Sequence, residues 1–210
     1  MPAATEKNEI RRSLFARLKT FSLGDRNRAA KKICSTLACL PLVKSSRLTA
    51  AYIALKSEPD LGRLLRAPRA SDDSGGFAVS RVNEAGELDF YRFESIDELQ
   101  PGEHGFLEPD PAKSELIEIA EIDVVLTPGV GFDPATFARL GRGKGHYDRF
   151  LARLHKARRE AGQERSQVVG IGYQRQLVNI PTEPHDQPMD GLVTEDGFWQ
   201  TPGTVGSNEI

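Results

Sequence analysis

Apolar residues recur at helical spacing from the start of the chain. Ile10, Leu14, Phe15, Leu18 and Phe21 predict an amphipathic helix over residues 6–20. Ser22 can cap a second helix, with Asp25 placed to complete a capping box. That helix should turn Ala29, Ile33, Leu37 and Ala38 inward and end before Pro41. Arg47 to Leu55 reads as a strand, followed by the polar loop Lys56–Asp60. Leu61, Leu64 and Leu65 predict a short helix, and residues 67–76 a linker. Phe77–Val82 and Glu87–Phe93 flank Asn83-Glu84-Ala85-Gly86 and predict a hairpin. Residues 101–111 read as loop. Ile122–Leu126 and Gln167–Gly172 are short apolar runs of the kind buried in parallel sheets. Between them a helix should run to about residue 161, with Tyr147, Phe150, Leu151 and Leu154 inward. Gly191–Thr194 is the last predicted strand, before a polar tail from about Thr201.

This alternation predicts a single α/β domain over residues 1–210 with a largely parallel sheet. Ligands in such sheets sit beyond the carboxyl ends of strands. Three chemically rich loops follow predicted strands, at 56–60, 128–147 and 173–186, so a shared cleft is expected. Composition is that of an ordinary globular chain, with 39% hydrophobic and 28% charged residues. The net charge of −2 gives no bulk attraction to nucleic acid or membrane. No signal core or membrane-length apolar run is present, and Cys34 and Cys39 are poorly placed for a disulfide, so a cytoplasmic location is expected.

The chemistry concentrates in Arg139-Leu140-Gly141-Arg142-Gly143-Lys144-Gly145-His146-Tyr147-Asp148. Alternating glycines let a ligand approach the backbone, and Arg139, Arg142 and Lys144 can meet phosphate oxygens. The run is not a P-loop, because Ala138 and Gly145 stand where glycine and Ser or Thr are required. It is not a dinucleotide fingerprint either, because His146 replaces the third glycine. Asp148 is a hard oxygen ligand suited to Mg²⁺ beside phosphates. A second carboxylate should come from a distant loop, with Asp186 (after His185) and Asp190 as candidates. Thr127–Asp133 reads as a close-approach turn in which Asp133 caps the loop. Lys7 and Arg11 share a helix face, which alone suggests only solvation. Arg149, Arg153, Lys156, Arg158 and Arg159 read as a solvated basic face. No histidine or cysteine has zinc spacing, and no nucleophilic triad is visible.

Taken in order, these motifs resemble the 5-formyltetrahydrofolate cyclo-ligase family. The match rests on Pro128-Gly129, Phe132-Asp133, the run 139–148, Lys7-x-x-x-Arg11, Glu58, Glu108-Pro109, Pro181, His185-Asp186 and Thr194-Glu195. The resemblance implies a three-layer α/β/α fold and ATP-dependent closure of 5-formyltetrahydrofolate to 5,10-methenyltetrahydrofolate, with release of ADP and phosphate through a phosphorylated formyl group. It implies that Lys7, Arg11 and Arg139 through Tyr147, with Leu140, Gly141, Gly143, Gly145 and His146 among them, hold ATP. Arg142 and Lys144 would neutralise charge in the transfer. Asp148 and Asp186 would hold Mg²⁺, and Ile53, Glu58 and Tyr147 would contact the folate, which could carry a polyglutamate tail. A monomer without a nucleic-acid or membrane partner is expected. The departures are His146, where the family commonly has tyrosine, the glycine-free link 134–138, and Leu61, where a threonine often follows the glutamate near position 58. His146 would stack less area on a pterin. The alternatives are a non-catalytic folate- or nucleotide-binding paralogue, or an ATP-dependent enzyme acting on another amide.

Overall fold

A computed structural model describes residues 2–66, 76–102, 107–184 and 186–200. Helix α1 spans Pro2–Lys19 and α2 spans Leu23–Cys39. The Ser22 hydroxyl accepts from the Asp25 backbone N–H and caps α2 as its sequence implies. The inward stripe of α2 is Ala29, Ala30, Ile33, Cys34 and Leu37. Ala38, expected inward, is exposed, because nine residues beyond Ala29 the helix has turned to its opposite face. The short helix α3 (Pro41–Lys44) leads into strand β1 (Leu48–Ala51), and α4 (Gly62–Leu65) follows the loop after it. The predicted strand 47–55 is thus cut to four residues, since Tyr52–Leu55 leave the sheet. The stretch read as a linker, 67–76, lies outside the described residues except for Gly76, which starts β2.

Strands β2 (Gly76–Val82) and β3 (Leu88–Phe93) form the expected antiparallel hairpin. Part of the predicted loop 101–111 forms strand β5 (Leu107–Pro109), which pairs with β4 (Leu99–Pro101). Then come β6 (Val124–Pro128), β7 (Gly131–Phe132), β8 (Arg139–Leu140), α5 (His146–Glu160), β9 (Gln167–Ile171), β10 (Gly191–Thr194) and β11 (Gly197–Gln200). Strand β11 is not predicted by the sequence pattern. Its signal was only a two-residue acidic turn, Glu195-Asp196, before four residues that pair back on β10.

The main sheet has the order β11-β10-β9-β6-β1-β2-β3, with five central strands parallel and the two edge strands antiparallel. Alternation along the strands explains the layers. Val124, Leu126, Val169 and Ile171 face a core shared with α2 and α4, whereas Val125 and Val168 face one shared with Phe150, Leu151 and Leu154 of α5. Both sheet faces are therefore covered by helices, giving the three-layer arrangement. Among the described residues, no helix is long and apolar enough to cross a membrane. The basic face of α5 is not wholly solvated. Arg158 is buried, donating to the carbonyls of Ala120 and Ile122 and pairing with Asp123 at 3.1 Å.

Two local features aim the loops. Phe132 is fully buried, and a Cβ on Gly172 would sit 2.5 Å from its ring, so β7 packs directly on the end of β9. The link from Phe132 to Arg139 lacks glycine, and Phe137 takes the left-handed conformation (φ 55°) instead. Asp133 closes this link by accepting from the backbone N–H groups of Ala135, Thr136 and Ile180. Burial opposes its ionisation, but these donors prevail and hold its carboxyl below the usual range.

Candidate active site

A cleft of about 1730 Å³ opens at the carboxyl ends of β1, β2 and β6. Its lining takes in Lys7, Arg11, Ile53, Glu58, every residue from Arg139 to Asp148, and Asp186. One space thus gathers residues as far apart in sequence as α1 and the loop before β10.

One wall is built from ion pairs. Lys7 is buried and meets Glu183 at 2.8 Å and Asp186 at 2.7 Å. Burial disfavours its charge, yet the two carboxylates outweigh that and raise its pKa. Arg11 donates to the Gly141 carbonyl (2.8 Å) and to Asn8 (2.7 Å), which fastens α1 to the glycine-rich run. The Arg139 side chain is only 3% exposed and pairs with Asp148 at 2.8 Å, with its guanidinium also over the Tyr147 ring. Arg139 is therefore a buried, pre-paired cation rather than a free phosphate contact. Lys144 is exposed and has no ion-pair partner among the described residues. Gly143 (φ 96°) and Gly145 (φ 65°) take conformations that favour glycine, and Gly145 caps α5 without a side chain. The first-turn N–H groups of α5 therefore receive no cap from a side chain, as suits an anion there.

The other wall is drier. Glu58 is buried, with its carboxylate accepting from the Leu55 N–H at 3.0 Å and facing Arg142 at 3.5 Å. Burial pushes its pKa up, and these two groups only partly offset the shift. Arg142 donates to the Ser57 hydroxyl at 2.8 Å and lies over Phe15 of α1, so one motif side chain touches both walls. Burial raises the Tyr147 phenol well above its usual range. Its hydroxyl and the Arg139 Nε are buried without hydrogen-bond partners, Ser80 making a polar contact with Tyr147 that falls short of bonding geometry. Two orphaned polar atoms beside one cleft cost about 1–3 kcal/mol each unless a ligand satisfies them.

Asp148 and Asp186 both line the cleft, and each already has a cation partner. No group of three or more His, Cys, Asp or Glu that could hold a metal forms among the described residues. Two hard carboxylates still fit Mg²⁺, which takes one or two protein carboxylates and completes its shell with phosphate and water. His185 lies outside the described residues. Asp190, the other candidate ligand, is away from the cleft lining, accepting from Arg165 and the Val168 N–H. Sequence reasoning missed Glu183, Tyr52, Ser80, Arg81 and Tyr91 in the lining. The strand residues among them carry no motif, and only the fold turns them inward.

A family model described as the 5-formyltetrahydrofolate cyclo-ligase family matches residues 3–195. The chain is 33% identical to 5-formyltetrahydrofolate cyclo-ligase of Saccharomyces cerevisiae over 73% of its length and 78% of the relative's. Against the cyclo-ligase of Mycolicibacterium smegmatis it is 30% identical, covering 90% of this chain and 93% of that one. The NMR structure of Aquifex aeolicus 5,10-methenyltetrahydrofolate synthetase superposes with a TM-score of 0.75 at 29% identity, over 97% of this chain and 96% of that one. The match over nearly all of the chain, with the α/β architecture in common, means that this chain belongs to the 5-formyltetrahydrofolate cyclo-ligase family of ATP-dependent enzymes.

Proposed function

We propose that the protein converts 5-formyltetrahydrofolate and ATP to 5,10-methenyltetrahydrofolate, ADP and phosphate. The observation that carries this reading is Arg142, which touches the Ser57–Glu58 loop on one wall and Phe15 of α1 on the other. It is a cation from the phosphate-suited run at the junction where a γ-phosphoryl group would meet a formyl oxygen. In the proposed reaction that oxygen attacks the γ-phosphorus and ADP departs. Nitrogen 10 of the folate then adds to the activated carbon, the C–O bond breaks to release phosphate, and the nitrogen 10 proton is lost. Phosphorylation is needed because an amide oxygen leaves poorly.

Catalysis of such a transfer is mainly positioning and charge neutralisation. Lys7, Arg11 and the run 139–145 would hold ATP, with Arg142 and Lys144 countering charge on the moving phosphoryl group, whereas the His146 ring is engaged by the Gly86 carbonyl. Asp148 and Asp186 would hold Mg²⁺, which when bound would neutralise phosphate charge. Ile53, Glu58 and Tyr147 would contact the folate. Glu58, whose burial works against its ionisation, would offer the pterin a hydrogen-bonding carboxyl. The test is an absorbance time course with 5-formyltetrahydrofolate, ATP and Mg²⁺. A methenyl chromophore that grows only with all components present supports the reading. ATP consumption with another formamide, and none with this folate, defeats it.

A further inference from the structure

His146 makes a bond that a phenol at that position would not. Its Nδ1 lies 2.8 Å from the Gly86 carbonyl, at the tip of the β2–β3 hairpin. A carbonyl only accepts, so with the proton on Nδ1 the ring donates to it, and Arg149 Nη2 stands 3.3 Å from the same nitrogen. Arg149 Nη2 donates to the same carbonyl at 3.1 Å, while its Nη1 donates to the Lys144 carbonyl at 2.8 Å. One helical turn on, Arg153 pairs with Glu87. Three residues from the first two turns of α5 therefore hold one hairpin turn.

That turn is tied together internally. Asn83 Oδ1 accepts from the N–H groups of Ala85 and Glu87, each at 3.0 Å, and Gly86 N–H donates to the Asn83 carbonyl at 2.9 Å. Asn83 Nδ2 also donates to Asp89 at 3.0 Å, tying the turn to β3. The hairpin supplies Ser80, Arg81, Asn83 and Tyr91 to the cleft. In the sheet it lies across β1 from β6 and β9, whereas α1 packs against β7 and the turn Gln174–Gln176. The hairpin wall is thus on the opposite side of β1 from Lys7 and its acids.

We propose that His146, with Arg149 and Arg153, is a positioning residue that latches the β2–β3 hairpin onto α5 and so sets the folate side of the cleft. It acts on the substrate through the hairpin wall. A tyrosine has its one donor at the far end of the ring and offers nothing at the Nδ1 position, so this latch is particular to the histidine. The proposal rests on the reading that folate occupies the Glu58 side.

The experiment compares wild type, His146→Ala and His146→Asn, because an asparagine amide can donate from nearly the Nδ1 position. Steady-state kinetics by methenyl absorbance should show the KM for 5-formyltetrahydrofolate raised about fivefold in His146→Ala, the loss of one net hydrogen bond, with the KM for ATP unchanged. His146→Asn should recover most of that loss. Amide exchange at Asn83 and Gly86 should quicken in His146→Ala and slow again in His146→Asn. An unchanged folate KM, equal rises in both KM values, or an asparagine no better than alanine would overturn the proposal. A wild-type protein that makes no methenyl product defeats the proposed function itself, and the exchange comparison still decides whether the latch exists.

Discussion

The two walls of the cleft handle charge in opposite ways. On the α1 side, Lys7, Asp186, Glu183, Arg139 and Asp148 are all ionic, and each is joined to an opposite charge within 2.8 Å. On the β1 and hairpin side, Glu58 is buried with its pKa raised, and the nearest cation is 3.5 Å away. The first wall holds its charges in pairs that a phosphate and its metal can exchange for new partners. The second holds fewer and looser contacts, Glu58 facing Arg142 at 3.5 Å and Arg81 facing Glu108 at 3.4 Å, with burial working against the Glu58 charge. The contrast matches a polyanion on one side and a pterin on the other.

The sharpest way to break this contrast is Asp148→Asn. The variant keeps an acceptor oxygen for Arg139 but loses the carboxylate proposed for Mg²⁺. Turnover should fall about 100-fold or more, the scale of a lost transition-state charge contact. Stability should fall by about 1–3 kcal/mol, because the buried guanidinium keeps only a weaker partner. Thermal unfolding alongside steady-state rates separates the two effects. Near wild-type turnover would remove Asp148 from the mechanism.

Lys144→Ala is the next test, and it isolates charge from scaffold. Lys144 is exposed and has no ion pair among the described residues, so nothing in the fold leans on it. Stability should stay within about 0.5 kcal/mol. The KM for ATP should rise about tenfold, a charge-assisted contact at the low end expected of an exposed group. A change confined to the folate KM would place Lys144 on the wrong wall.

How far the sequence could be read follows the same division. The α1 wall was legible because glycines, cations and acids leave a dense local pattern, and Lys7 and Arg11 share a helix face. What it hid was the pairing. Arg139 looked like a free cation, and only burial shows it held by Asp148 nine residues on. The hairpin wall was nearly silent. Ser80, Arg81 and Tyr91 are ordinary strand residues, and their side of the sheet depends on register with β1 and β3. The buried runs at β6 and β9 gave the parallel core directly. Strand β11 and the β4–β5 pair escaped, being only three or four residues long with proline or glycine inside them. The glycine-free link found its own solution, with Phe137 accepting the left-handed conformation that glycine would take more cheaply.

Glu58→Gln has the smallest expected effect on turnover and tests the drier wall on its own terms. Burial raises the Glu58 pKa above the ordinary 4.5, so the folded protein binds its proton more tightly than the unfolded chain. The stabilisation linked to that proton is complete below about pH 4.5 and is lost as pH rises through the folded pKa. Glutamine cannot ionise and fills the same space. The variant should therefore lose stability less than wild type between pH 4.5 and neutrality, and be at least as stable at pH 7. Melting temperatures of both proteins across that range give the answer. Parallel curves would mean that Glu58 ionises freely, and the cleft would then have two charged walls rather than one. If the curves converge toward acid and part toward neutral pH, the carboxyl is held against ionisation by its burial. The fold would then be shown to penalise charge at this position relative to water.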